Sequence, residues 1–262
     1  MTTIANASAV QLREFLQSRL KTVETSEISR RSEEIQRDLL RRSQNILQPN
    51  FTSMNTRDLE FLFNGYDEHF FDGLCRRSLG DSPLYFAFSR RMTRTGACTK
   101  RFRTKDGDIF YEIAIGIGIL FDGFSDSDRQ TTVCGLQCNN RLDALQRLFE
   151  HELIHLVEFL CWDDSNCSAS RFQSITSKLF GHRTHTHNLI TRHERAAAAG
   201  IRVGCRVSFE FDGRRFVGRV NRITKRVTVL VEDSNGMEYE NGQRYKKYYV
   251  PIRLLSAAPM PS

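Results

Sequence analysis

The stretch Phe149–Phe159, FEHELIHLVEF, decides how this chain is read. It places His151, Glu152 and His155 in the order HELIH. Histidines at i and i+4 project from one side of an α-helix, so their imidazoles can hold one zinc ion. The glutamate after the first histidine can then reach a water there as general base. Leu148, Phe149, Leu153, Ile154 and Val157 make the helix apolar around the two histidines, as expected of a core helix with one polar edge. Asn139-Asn140 stand at its start, and the spacing predicts a helix from Arg141 to about Trp162.

A catalytic zinc needs a third protein ligand and an open fourth position. The continuation HExxHxxGxxH is absent, because Glu158 and Cys161 stand where Gly and His would be, so the third ligand is expected later in the chain. The run Gly181–His187, GHRTHTH, follows a predicted helix capped by Ser168 or Ser170, and Gly181 lets the chain turn back. His182 is the preferred third ligand, with His185 and His187 as alternatives and Glu158 as an acidic one. His193 reads as a surface histidine. Cys161 and Cys167 read as ordinary cysteines, since a thiolate ligand would leave the histidine run without a role.

Upstream of this helix, residues 1–50 read as a polar helical N-terminal extension, docked as an amphipathic helix or serving as a nucleic-acid arm. Asn55 is placed to cap a helix running from Thr56 through Cys75. LYFAFSRR and IFYEIAIGIGIL (Ile109–Leu120) read as strands, with the turn Asp106-Gly107 before the second, so the region is expected to be a meander with a basic tip. Arg90, Arg91, Arg94, Lys100, Arg101 and Arg103 on it are candidate phosphate contacts. From Ile201 the texture changes to short alternating strands, among them GMEYENG and KYYVPIRLL. Turns are expected at Asp212-Gly213, Thr224-Lys225, Ser234-Asn235-Gly236 and Asn241-Gly242. Five short strands predict a small SH3- or Tudor-like barrel at 201–257, with 258–262 a disordered tail. The expected class is α+β, with helices packed on a small antiparallel sheet over 51–200.

The net charge of +7 and pI near 9.2 favour a polyanionic partner. The 7 cysteines include no CxxC pair, and neither a signal peptide nor a membrane span is visible, which predicts a reduced, intracellular protein with no membrane partner.

Taken together, HELIH after a predicted sheet and before FGH (Phe180–His182) resembles the SprT-like metallopeptidases, which include the Spartan proteases of DNA–protein crosslink repair. LFNGYDEHFFDGL (Leu62–Leu74) is similar to that family's opening helix, and SRRMTRTGACTK (Ser89–Lys100) to its R-M-xxx-G strand-turn. IAIGIGIL (Ile113–Leu120) stands where the strand before the catalytic helix belongs. The likeness covers roughly residues 55–195. It implies a zincin-like domain, zinc held by His151, His155 and His182, and Glu152 as catalytic residue. It further implies a protein substrate associated with or crosslinked to DNA, and a nuclear or DNA-associated location in a eukaryote. The chain departs from the family in an apparent insertion, WDDSNCSASRFQ, in Arg183 after GH, and in a barrel where a cysteine-rich zinc ribbon often follows. The other reading of the same residues is a non-catalytic, zinc-stabilised adaptor that docks on nucleic acid or chromatin through its barrel.

Overall fold

The computed structural model describes residues 2–124, 130–224 and 226–258, so Lys225 of the Thr224-Lys225 turn and residues 259–262 of the expected tail lie outside the described residues. The fold is mixed α+β and divides into two compact units, Met1–Leu189 and Ile190–Ser262.

The first unit opens with helices α1 (Thr2–Thr22) and α2 (Thr25–Arg42). Leu12, Leu16, Ile35, Leu39 and Ile46 are buried in the same core as Leu59, Phe63 and Phe149, so the first 50 residues share the core that backs the HELIH helix. Helix α3 (Thr56–Phe71) starts where Asn55 caps it: Asn55 Oδ1 accepts from Asp58 N at 3.2 Å and Asp58 Oδ2 from Asn55 N at 2.7 Å. The helix expected to run through Cys75 is instead cut by left-handed Asp72 and Gly73, and α4 (Leu74–Leu79) follows.

Strands β1 (Leu84–Ser89), β2 (Ala97–Arg103) and β3 (Ile109–Gly116) form a sheet in the order β1-β3-β2. This corrects the expected meander: β3 is central, parallel to β1 and antiparallel to β2. Only β2–β3 is a hairpin, turning at Gly107 with φ of 95°. The strand expected to reach Leu120 ends at Gly116, and α5 (Ile117–Asp122) follows. A Cβ at Gly116 would lie 3.0 Å from the carbonyl oxygens of Thr95 and Gly96, so the glycine gives the β1–β2 connection room to pass close by.

Then β4 (Thr131–Val133) and β5 (Leu136–Cys138) pair through a two-residue turn with both residues at positive φ, Cys134 and Gly135. Helix α6 (Arg141–Trp162) carries HELIH and is capped by Asn140 Oδ1, which accepts from Asp143 N at 2.9 Å. Helix α7 (Ser170–Phe180) begins after Ala169, which makes no side-chain cap.

The second unit holds α8 (Arg192–Ala198), then β6 (Arg206–Phe211), β7 (Arg214–Ile223), β8 (Val227–Glu238) and β9 (Arg244–Val250). A 3-10 turn, Ile252–Leu254, leads to β10 (Ser256–Ala257). The sheet order is β10-β6-β7-β8-β9, all antiparallel. No ladder among the described residues joins β9 to β10, so the five strands make an open sheet rather than a closed barrel. The GMEYENG segment is no separate strand. Its first residues, Gly236–Glu238, belong to β8, which runs through Ser234-Asn235-Gly236 as a bulge, with Tyr245 opposite both Glu232 and Met237, instead of turning there. The fifth strand comes from beyond KYYVPIRLL. Val207, Phe209, Val220, Val227 and Val229 close this unit's own core with Ala196 and Ile201.

Charge divides unevenly between the units. Residues 1–189 hold 24 Lys/Arg and 24 Asp/Glu, and residues 190–262 hold 14 and 7, so the whole net charge of +7 belongs to the second unit.

Candidate metal centre

The structure brings His151, Glu152 and His155 together at a cavity of about 350 Å³, bounded by α6, by Thr95–Thr99 at the start of β2, and by the β4–β5 turn. His151 Nε2 and His155 Nε2 are 3.2 Å apart. Two Zn–N bonds of about 2.0–2.1 Å at a tetrahedral angle put their nitrogens about 3.3 Å apart. The spacing therefore fits one ion shared by both rings. The Phe172 ring of α7 packs against both imidazoles, at centroid distances of 4.8 and 4.5 Å.

Hydrogen-bond donation fixes which nitrogen of His155 is bare. The Ser165 hydroxyl donates to Glu158 Oε2 at 2.7 Å, so its oxygen is left to accept from His155 Nδ1–H, also at 2.7 Å. With the proton on Nδ1, Nε2 keeps its lone pair for a metal. Glu158, fully buried, is itself held by Arg171 Nε at 2.6 Å and Asn166 N at 3.2 Å. It therefore orients a candidate ligand through Ser165 rather than facing the cavity. A softer version of the same arrangement serves His151. The Cys134 thiol donates to the Arg147 carbonyl (3.8 Å), and its sulfur lies 3.9 Å from His151 Nδ1. Burial pushes His151 down to about 3, helped by the neighbouring imidazoles, and pushes His155 down to about 4 against the pull of Glu158. Both rings are thus neutral at physiological pH and ready to donate lone pairs.

Glu152 is buried, and burial raises its carboxyl to about 7, opposed by the Thr99 hydroxyl. Thr99 Oγ1 donates to Glu152 Oε2 at 2.8 Å, with the Glu152 carbonyl oxygen also 2.9 Å away.

His182 is placed differently. It is 4% exposed, and its Nε2 lies 2.9 Å from Glu150 Oε2. Glu150 is fully buried and also accepts from Arg147 (2.7 and 2.9 Å) and from the Tyr66 hydroxyl (2.7 Å). Burial alone would raise the Glu150 carboxyl, but Arg147 and His182 outweigh it and hold it below the ordinary value. His182 lines a separate cavity of about 740 Å³ beside α7, whereas His185 and His187 line the cavity of Glu152. The 182–188 loop is held by the β4–β5 turn. Cys134 O accepts from Arg183 N (2.9 Å) and Thr184 N (3.2 Å), and Cys134 N donates to Thr186 O (2.8 Å).

Among the described residues, two groups could hold a metal ion, each with ligand atoms within 4.8 Å of one another: His151, His155 and Cys167, and Cys134, His151 and His182. They draw on His151 from different sides, because Nε2 faces His155 while Nδ1 faces Cys134. Only the first group sits wholly on the cavity that Glu152 lines.

The basic residues singled out in the sequence do not form one patch. Arg90, Arg91 and Arg94 are exposed on the β1–β2 connection. Lys100 lies opposite Glu112 in register, on the other face of β2 from Arg101 and Arg103, and Arg101 is committed to an ion pair with Asp163. Sequence reasoning missed Thr99, Ser165, Glu150 and Cys134, whose roles come from contacts between distant segments. No family model, no curated protein and no solved structure matches this chain.

Proposed function

We propose that this chain is a zinc-dependent endopeptidase of the SprT-like kind, acting on proteins associated with or crosslinked to DNA. The observation that carries the reading is the pairing of two neutral imidazoles, Nε2 atoms 3.2 Å apart, with a buried carboxylate aimed from Thr99 on the same cavity. A bound zinc ion supplies Lewis-acid activation of water and of a substrate carbonyl. Glu152 takes the proton of the attacking water and returns it to the leaving amine, a role its raised pKa suits. Thr99 keeps the carboxylate aimed. Strand β2 is an edge of its sheet and walls the cavity, so an extended peptide can add beside it through main-chain hydrogen bonds. A purely structural metal has no use for a buried, aimed glutamate, which weighs against the adaptor reading.

The DNA partner is assigned to the second unit, which holds the net positive charge. Its meander of four strands, with a fifth returned to β6 by the 3-10 turn, supports an SH3/Tudor-like reading of the strand order in 201–257, left open as a sheet.

The test is metal content alongside proteolysis. Purified protein should carry one zinc per chain, and His155→Ala should lose it. Glu152→Gln should keep the zinc while cleavage falls by about 10²–10⁴-fold, the usual cost of removing a general base. Full zinc in His155→Ala, or equal cleavage by wild type and Glu152→Gln, would sink the reading.

A further inference from the structure

Resting on the zinc reading above, we propose that Cys167 is the third protein ligand, making the centre a two-histidine, one-thiolate site with its fourth position open to water and substrate. The Sγ of Cys167 and the ring nitrogens of His151 and His155 lie within 4.8 Å of one another, and all three residues line the cavity that holds Glu152. With a Zn–S bond of about 2.3 Å, the nitrogen–sulfur edges of the tetrahedron would be about 3.6 Å. A contraction of roughly an ångström or less, within the reach of a loop side chain, would complete the site.

The histidine alternatives are weaker on this geometry. His182 bonds Glu150 through Nε2, which leaves Nδ1 for a metal, but it groups with Cys134 and His151 without His155 and opens onto a cavity that Glu152 does not line. His185 and His187 line the rim, but neither joins a group of described residues whose ligand atoms are all within 4.8 Å.

An independent observation supports Cys167: its loop is built around the neighbouring ligand. Ser165 orients His155, and Ser165 Oγ and Asn166 N both bond the buried Glu158, which Arg171 anchors from α7. The same clamp that sets the His155 ring therefore sets the position of Cys167, two residues beyond Ser165. The Asn166 side chain steadies the following turn by accepting from Ser168 N at 2.9 Å. A soft thiolate beside two imidazoles suits zinc or cobalt(II) over calcium or magnesium. As the S–metal bond forms, the thiol proton passes to solvent, so loading releases a proton.

The experiment uses the full-length protein loaded with cobalt(II). Wild type should show the intense visible bands of a tetrahedral site together with a thiolate-to-cobalt charge-transfer band in the near ultraviolet. Cys167→Ser should lose the charge-transfer band. Its zinc affinity should fall by more than the roughly 10–100-fold expected when an outer partner such as Ser165 is removed. Alkylation mapped by mass spectrometry supplies a readout that needs no variant: zinc should protect Cys167 in wild type, and chelation should expose it.

A tetrahedral cobalt spectrum without the thiolate band overturns the proposal, as does a band that survives in Cys167→Ser. Loss of metal in His182→Ala, His185→Ala or His187→Ala with full retention in Cys167→Ser moves the ligand to that histidine and leaves the zinc reading standing. If wild type takes up no stoichiometric metal, or if His155→Ala keeps it, the underlying zinc reading itself fails.

Discussion

The Glu152 carboxyl owes its aim to a residue 53 positions away, Thr99, and the general-base role proposed for it depends on that aim. Thr99→Val removes the hydroxyl and nearly keeps the shape. Zinc content should be unchanged, while kcat falls by about 10–100-fold with little change in KM, the usual cost of an outer orienting partner. Steady-state kinetics with metal analysis of the same preparation checks this, and an unchanged kcat would show that the carboxylate is oriented without Thr99. His151 and His155 were legible in the sequence because their spacing alone places them on one helix face, and Glu152 because it stands next to the first of them. Thr99, Ser165, Glu150 and Cys134 were not, because nothing in a linear pattern tells a threonine on an edge strand that Glu152 lies within hydrogen-bonding reach, or a serine in an apparent insertion that His155 does. For His182 the glycine-histidine context reads as a ligand but says nothing of Glu150, which holds its Nε2 in the structure.

Helix α6 carries the residues proposed for catalysis and is a structural element as well, since its back carries Glu150 into the core. The Glu150 carboxylate is held below its unfolded-state value of about 4.3. Its contribution to stability is therefore complete above that pH and is lost as the pH falls towards the folded-state value. Wild type should lose urea resistance between about pH 5 and pH 3. Glu150→Gln should be weaker at neutral pH by about 3–5 kcal/mol, with a shallower acid limb, because the partners of a buried charge are left uncompensated. Urea midpoints followed by circular dichroism across that range test the sign, and equally steep limbs would assign the acid sensitivity elsewhere. At this scale helix starts were readable from their caps, Asn55 and Asn140. Strand neighbours were not: alternation says which residues face inward and not which strand lies alongside. One clue was present, for Ile113–Gly116 carries no polar alternation and is buried throughout, as a central strand requires.

At the scale of the whole molecule the charge is partitioned, neutral in residues 1–189 and +7 in residues 190–262. Composition showed the excess, while only the division into units located it. Within the second unit, Arg206 lies directly opposite Arg219 in the β6–β7 register. Like charges so placed cost the sheet roughly 0.2–1 kcal/mol. A bound polyanion would reverse that cost. Arg219→Gln should therefore raise the melting temperature slightly while weakening duplex DNA binding, and should reduce the slope of log affinity against log salt by about 0.9 for each phosphate that is no longer neutralised. Fluorescence anisotropy over a salt series reads both affinity and slope, and unchanged values would move the DNA-binding surface away from this pair.

The short connection from Asp163 to Ala169 has a consequence for descent. It carries the serine that orients one histidine and the thiol that faces both. On the proposed zinc reading, a lineage that gained or lost a single residue there would keep HELIH letter for letter and still change how firmly, and which, metal it could hold. Relatives of this chain would then diverge in metal preference through the length of a loop long before they diverged in the motif by which they are recognised.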